Sequence, residues 1–161
     1  MPRRLPKPQL EAWRAFLMAH AAIIERIEKV LSQAGCIPLT WYDVLIVLSR
    51  APEQRLRMHE LASALVISRS GLTRVVDRLV ARGFIMREVC SSDGRGSYAV
   101  LTPQGFDELK KTWPFYRQGI MDYFSQHVSR EEVEVLTKVM QRLYRTTTGD
   151  PYGQSADNGR V

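Results

Sequence analysis

The stretch SRSGLTRVVDRLVARG (residues 68–83), followed directly by FIMREVCSSDGRGSYAVLT (residues 84–102), decides the fold. In its first half Leu72, Val75, Val76, Leu79 and Val80 recur at i, i+3, i+4, i+7 and i+8, the spacing of a helix that buries one face. Ser68 is placed to cap its start and Gly83 its end. Projected at about 100° per residue, Ser70, Thr73, Arg74, Asp77 and Arg78 lie opposite the apolar stripe, with Arg69 on the N-terminal flank. After Gly83 the period falls to two: Phe84, Met86 and Glu88 alternate with Ile85, Arg87 and Val89. A turn-rich run, Ser91 to Gly96, and a returning strand at Tyr98–Leu101 complete a β-hairpin.

This segment carries Arg69, Arg74, Arg78, Arg82, Arg87 and Arg95 against Asp77, Glu88 and Asp93, and no lysine. A helix that offers hydroxyls and guanidiniums near its start suits the major groove, where arginine grips guanine bidentately. Arg95, between Gly94 and Gly96, projects from a tight turn and suits a narrow minor groove, with Asp93 placed to hold it or to cap the turn. Taken alone, the helix equally fits a solvated face on which Asp77 pairs with Arg74 or Arg78. The order helix, tight turn, arginine helix, hairpin decides for a winged helix-turn-helix. Arg82 and Arg87 are expected to serve structure rather than DNA.

Outward from this head, Leu10, Trp13, Leu17, Ile24, Ile27 and Leu31 define a first helix, with His20 filling the gap in the series. Phe16, Ile23 and Val30 form a second apolar face, so one side packs on its own domain and the other on a second chain. Thr40, with Asp43 three residues on, reads as the cap of the next helix, which stops before Pro52. A linker, APEQRL, leads to a short helix around His59–Leu65. Thr102-Pro103 opens a long helix that Pro114 is expected to kink or split, and Ser129 with Glu132 forms a capping box for the last. The expected division is a flexible basic arm (1–9), an N-terminal dimerisation helix (10–35), a winged helix-turn-helix domain (38–102), C-terminal dimerisation helices (103–145) and a disordered tail (146–161). The fold class is therefore mainly α with a small β-hairpin wing.

A formal net charge of +6 over 161 residues favours a polyanionic partner. The apolar run at 44–48 is far too short to span a bilayer, and no signal peptide is legible, so a cytoplasmic protein without membrane contact is expected. Cys36 and Cys90 have no metal-ligand spacing. His20, His59 and His127 are isolated and neither HExxH nor GxSxG occurs, so no enzyme, metal or cofactor is expected.

Residues 58–105 resemble the MarR (multiple antibiotic resistance regulator) family of transcription factors. The resemblance rests on the D-x-R of the hairpin tip (Asp93, Arg95) and on the L-T-x-x-G after it (Leu101, Thr102, Gly105), and the helix order extends it over 10–145. It implies a homodimer whose terminal helices interlock and whose two heads meet successive major grooves of a pseudo-palindromic operator on double-stranded DNA. Carried over by position, Ser68, Arg69, Ser70, Thr73, Arg74 and Arg78 face the major groove, while Arg95 enters the minor groove oriented by Asp93. Repression, often relieved by a small phenolic or lipophilic effector, is the family's usual outcome. Family pockets lie between the dimer helices and the winged domain, and the matching lining is His20, Trp41, Tyr42, Trp113 and Tyr116. His20 suits a ligand contact or a satisfied interface residue. Two other readings stand beside this one: a non-catalytic winged-helix adaptor docking an acidic protein surface, and a redox-sensing regulator using Cys36 or Cys90.

Overall fold

The computed structural model describes residues 4–65, 69–89 and 97–148. Helix α1 (Lys7–Gln33) leads to α2 (Leu39–Arg50), strand β1 (Arg55–Arg57), α3 (Met58–Ala64), α4 (Arg69–Ala81), β2 (Ile85–Val89), β3 (Ser97–Leu101), α5 (Pro103–Tyr123) and α6 (Arg130–Thr148). The protein is mainly helical, with one small antiparallel sheet ordered β1-β3-β2. Leu45, Leu48, Leu61, Leu72, Val76 and Leu79 are fully buried at the centre of the winged domain. They pack α2, α3 and α4 on the inner face of the sheet, which contributes Ile85, Ala99 and Leu101. Ile27, Leu31 and Leu39 form a second, smaller core with Ile120 and Tyr123, joining α1 to α5.

Several local readings need correction. The N-terminal arm is shorter than expected, because α1 begins at Lys7: Pro6 stands extended at the cap and its carbonyl accepts from Leu10 N–H at 3.2 Å. Proline suits the first turn of a helix, where its missing N–H would have no partner anyway. Thr40 caps nothing. Helix α2 starts one residue earlier, and the Leu39 N–H donates to Glu28 Oε1 of α1 at 2.9 Å, so a carboxylate eleven residues upstream takes the place of the local cap.

APEQRL is not merely a linker. Its last residues form β1, which pairs with β3 in the register Arg55↔Val100, Leu56↔Ala99, Arg57↔Tyr98. The turn into it places Glu53 and Gln54 at φ 53° and 54°, left-handed conformations unusual for side chains with a Cβ. Helix α3 is closed at its start by Glu60, whose Oε2 accepts from Arg57 N–H at 2.8 Å.

Helix α5 runs unbroken through Pro114. The proline is exposed, so water can take the carbonyl that loses its N–H partner. The expected capping box of α6 is present, with Ser129 N–H on Glu132 Oε2 at 2.8 Å and Glu132 N–H on Ser129 Oγ at 3.3 Å. This helix continues past Arg145 to Thr148. Thr146 and Thr147 turn their hydroxyls back to donate to the carbonyls of Arg142, Leu143 and Tyr144 in the preceding turn.

Candidate nucleic-acid interface

Helix α4 is set by its own apolar stripe. Leu72, Val76 and Leu79 are buried, so Ser70, Thr73, Arg74, Asp77, Arg78 and Arg82 are all left exposed on the outer side. Arg74 and Arg78 form no ion pair among the described residues. The helix ends in a Schellman turn at Gly83, whose φ of 74° disfavours any residue with a Cβ. The Gly83 N–H donates to Val80 O and the Phe84 N–H to Leu79 O, each at 2.9 Å. The chain thereby turns sharply, and Phe84 drops into the core under Trp41, their rings edge to face at 6.4 Å.

A compact joint then ties the end of α4 to the start of α5. Thr102 caps α5 by accepting from Gly105 N–H at 3.0 Å, and its hydroxyl donates to Gly83 O at 2.6 Å. The Thr102 N–H donates to Phe84 O at 3.1 Å. Gly105 lets the Phe84 carbonyl approach so closely that no Cβ fits between them. These contacts give the L-T-x-x-G pattern its physical meaning: threonine and glycine clasp the reading helix to the long helix behind it.

The sheet sits beside α4. Arg87, on β2 opposite Ala99, reaches across to α4 and donates to Asp77 Oδ1 at 2.6 Å. Asp77 is therefore paired through space and not with Arg74 or Arg78 of its own helix, as the isolated-helix reading expected. Arg82 lies over the Phe84 ring, 5.8 Å from its centroid. On the outer sheet face Tyr98 is flanked by Arg55 at 5.1 Å and Arg57 at 5.6 Å, and Arg57 Nε donates to its hydroxyl at 3.3 Å. Arg55 also pairs with Glu53 and, at 3.4 Å, with Glu88. Sequence reasoning missed this arginine–tyrosine group. Its only trace was the alternation Arg-Leu-Arg at 55–57, too short to read as a strand.

Ser68, Asp93, Arg95 and Cys90 lie outside the described residues, as does the side chain of Arg69. The hairpin strands that carry the tip are described and agree with the expected wing.

The five residues expected around a ligand are only partly brought together. Tyr42 and Tyr116 meet edge to face at 5.1 Å, and Trp113 meets Tyr116 at 6.1 Å. Trp41 turns instead to Phe84, and His20 stands apart on the exposed part of α1, 6.3 Å from Phe16. Thr112, one helical turn from Tyr116, is fully buried with no hydrogen-bond partner for its hydroxyl among the described residues. Burial pushes the Tyr42 phenol up to about 12, and burial followed by the nearby Asp43 carboxylate also raises Tyr116. Asp43 itself is raised to about 6, first by desolvation of its carboxyl among the helices, although part of the residue meets solvent, and then by Glu28. Cys36 is half-buried at the α1–α2 junction.

Comparison with known proteins supplies the remaining observation. The model of the MarR family matches residues 37–96, from the start of the winged domain to the hairpin tip. Sco3205, a MarR family transcriptional regulator from Streptomyces coelicolor solved in complex with DNA, superposes with a TM-score of 0.85. It is 29% identical, and the match covers 98% of this chain and 96% of that one. The winged domain is that of the MarR family. Among curated relatives, the HTH-type transcriptional regulator YkoM of Bacillus subtilis is 26% identical over 83% of this chain and 84% of its own length. The transcriptional repressor MprA of Escherichia coli is 27% identical over 86% of this chain and 80% of its own. The winged helix is thus that of a DNA-binding transcriptional regulator. No helix among the described residues is long and apolar enough to cross a membrane.

Proposed function

We propose that this regulator acts as a homodimeric repressor, reading a pseudo-palindromic operator with α4 in the major groove and the wing in the minor groove. The observation that carries the reading is the exposed face of α4, with hydroxyls at Ser70 and Thr73 and guanidiniums at Arg74 and Arg78, beside the two wing strands between which the sequence carries Asp93 and Arg95. Ser68 and Arg69 belong to the same reading head. Sco3205, whose structure is with DNA, supports the mode of binding, and MprA, a repressor, supports the sign.

What the chain leaves uncovered supports the dimer. Val133, Val135, Met140 and Leu143 are exposed along α6, which packs little on the rest of its own chain. Trp13, Phe16, Leu17 and Met18 are exposed along the first half of α1. Most helical stability in proteins comes from packing of an apolar face, so these two uncovered faces favour a second copy. In this division the terminal helices (10–35 and 103–145) dimerise and residues 38–102 bind DNA. For relief of repression, the Tyr42–Tyr116–Trp113 cluster with the unpartnered Thr112 hydroxyl is the site best suited to a small phenolic or lipophilic effector. His20 and Trp41 contact other rings and are not part of this cluster.

Fluorescence anisotropy on the promoter DNA of the protein's own gene tests the reading. Tight binding that weakens steeply with salt is expected, because neutralised phosphates release counterions. A folded protein that binds no DNA even at low salt would favour the adaptor reading instead. Arg95→Ala is expected to weaken binding and leave the melting temperature unchanged.

A further inference from the structure

We propose that Asp77 sets specificity by acting through Arg87: it withdraws a guanidinium that would otherwise bind phosphate without regard to sequence. The inference rests on the DNA-reading role of α4 and names a residue whose contribution to that role is negative.

Asp77 lies on the exposed face of α4, three residues beyond Arg74 and next to Arg78. An acid in that position faces polyphosphate and disfavours binding unless it accepts from a base or is neutralised. Its carboxylate is neutralised from outside the helix, by Arg87 of β2 at 2.6 Å. Arg74, three residues back, and Arg78, next in sequence, make no ion pair with it among the described residues. The acid therefore engages the arginine of the wing strand and leaves both arginines of the reading helix for DNA.

Stability does not account for the pair. The Asp77 side chain is 61% exposed and that of Arg87 35%, and exposed pairs contribute little to folding. Geometry gives it another use. Arg87 stands in the angle between α4 and the wing, the two parts meant to straddle the DNA backbone. Released from Asp77, its guanidinium sits within reach of phosphate and adds a contact that every sequence offers equally. Held by Asp77, it braces the strand against the helix and contributes nothing to binding at random sites.

The test is a double-mutant cycle on the full-length protein with two probes. One is a duplex selected by the wild-type protein from a random pool, and the other is a scrambled duplex of equal length. Asp77→Asn is expected to tighten scrambled-duplex binding about three- to tenfold, to steepen its salt dependence by about one counterion and to lower the selected-to-scrambled ratio. In the Arg87→Gln background the same substitution is expected to change scrambled binding little, because the guanidinium it would release is gone. An equal gain in both backgrounds means that Asp77 repels DNA directly, and it overturns the proposal. So does an Asp77→Asn protein that binds both duplexes as wild type does, or one that melts several degrees lower, which makes the pair structural. A wild type that selects no duplex at all overturns the DNA reading itself, a result distinct from these three.

Discussion

Gly105→Ala is the smallest change that tests how the reading helix is mounted. A methyl at this position would lie 2.2 Å from the Phe84 carbonyl oxygen and 2.9 Å from Leu101 Cδ1, where real Cβ atoms essentially never come closer than 3.0 Å. The leucine tip can rotate away, but the carbonyl is backbone. The start of α5 and the end of α4 must therefore part by about 0.8 Å. A shift of that size takes the Thr102 N–H···O Phe84 bond, now 3.1 Å, beyond the range in which it still holds. Overpacking of this kind costs about 1–3 kcal/mol and the lost hydrogen bond about 1 kcal/mol. The lower chain entropy of unfolded alanine returns about 0.4–1 kcal/mol. The net expectation is a loss near 2 kcal/mol, or a melting temperature about 4–8 °C lower for a chain of this size. Thermal unfolding of wild type and variant at one protein concentration measures it. Gly119→Ala is the control: its methyl would meet only Ile27 Cγ1, a side-chain atom, at 3.0 Å, so it should cost clearly less. A Gly105→Ala protein that melts with wild type, or above Gly119→Ala, would refute the claim that the close approach at Phe84 holds the joint together.

Three further outcomes are expected. Asp43 holds its proton in the folded state to about pH 6, whereas the unfolded chain releases it near the ordinary carboxylate value of 3.8. Between those values the folded state binds more protons, so this group favours folding at low pH and loses that contribution as pH rises through 6. Asp43→Asn should accordingly raise the melting temperature relative to wild type at pH 7.5 and converge with it near pH 4; a constant offset across that range would sink the assignment. Arg74→Ala, exposed and without an ion pair among the described residues, should cost about 1–3 kcal/mol of operator discrimination, read by anisotropy, with the melting temperature unchanged. Leu143→Asp, on the uncovered face of α6, should shift the light-scattering mass from dimer toward monomer and abolish tight operator binding.

The parts of the fold legible in the sequence were those with a local cause. The stripe on α4, the switch to period two after Gly83 and the Ser129–Glu132 box each depend on residues a few positions apart, and each was readable. What was misread depended on partners far along the chain. Strand β1 has only three residues and exists because β3, some forty positions later, gives its backbone a ladder. Thr40 looked like a cap because the Glu28 carboxylate that closes α2 belongs to another helix. Asp77 had Arg74 at helical distance and Arg78 next in sequence, yet its partner is on a strand that packs beside it only after folding. The end of α6 was misjudged for a different reason. A Thr-Thr-Thr run has little to bury, but its hydroxyls fold back onto the carbonyls of the preceding turn and the helix runs on to Thr148.

The same long-range contacts fix how the reading head sits on its support. Helix α5 carries Trp113 and Tyr116 in its middle and the Thr102–Gly105 clasp at its start, and Pro114 does not interrupt it. Eleven residues of continuous helix separate Thr102 from Trp113, about 16 Å at the usual rise, so the two places move as one body. At the clasp, Thr102 holds both the Gly83 carbonyl and, through its N–H, that of Phe84, the residues on which α4 ends. A tilt of α5 produced at the aromatic cluster therefore reaches α4 through hydrogen-bonded backbone rather than through compressible side chains. If the operator is read by two heads at a fixed separation, as proposed, a small rotation of each α5 would put both α4 helices out of register. On this reasoning Gly105→Ala should weaken operator binding even at temperatures where the variant is fully folded, because the misplaced atom stands at the joint and not in the reading face.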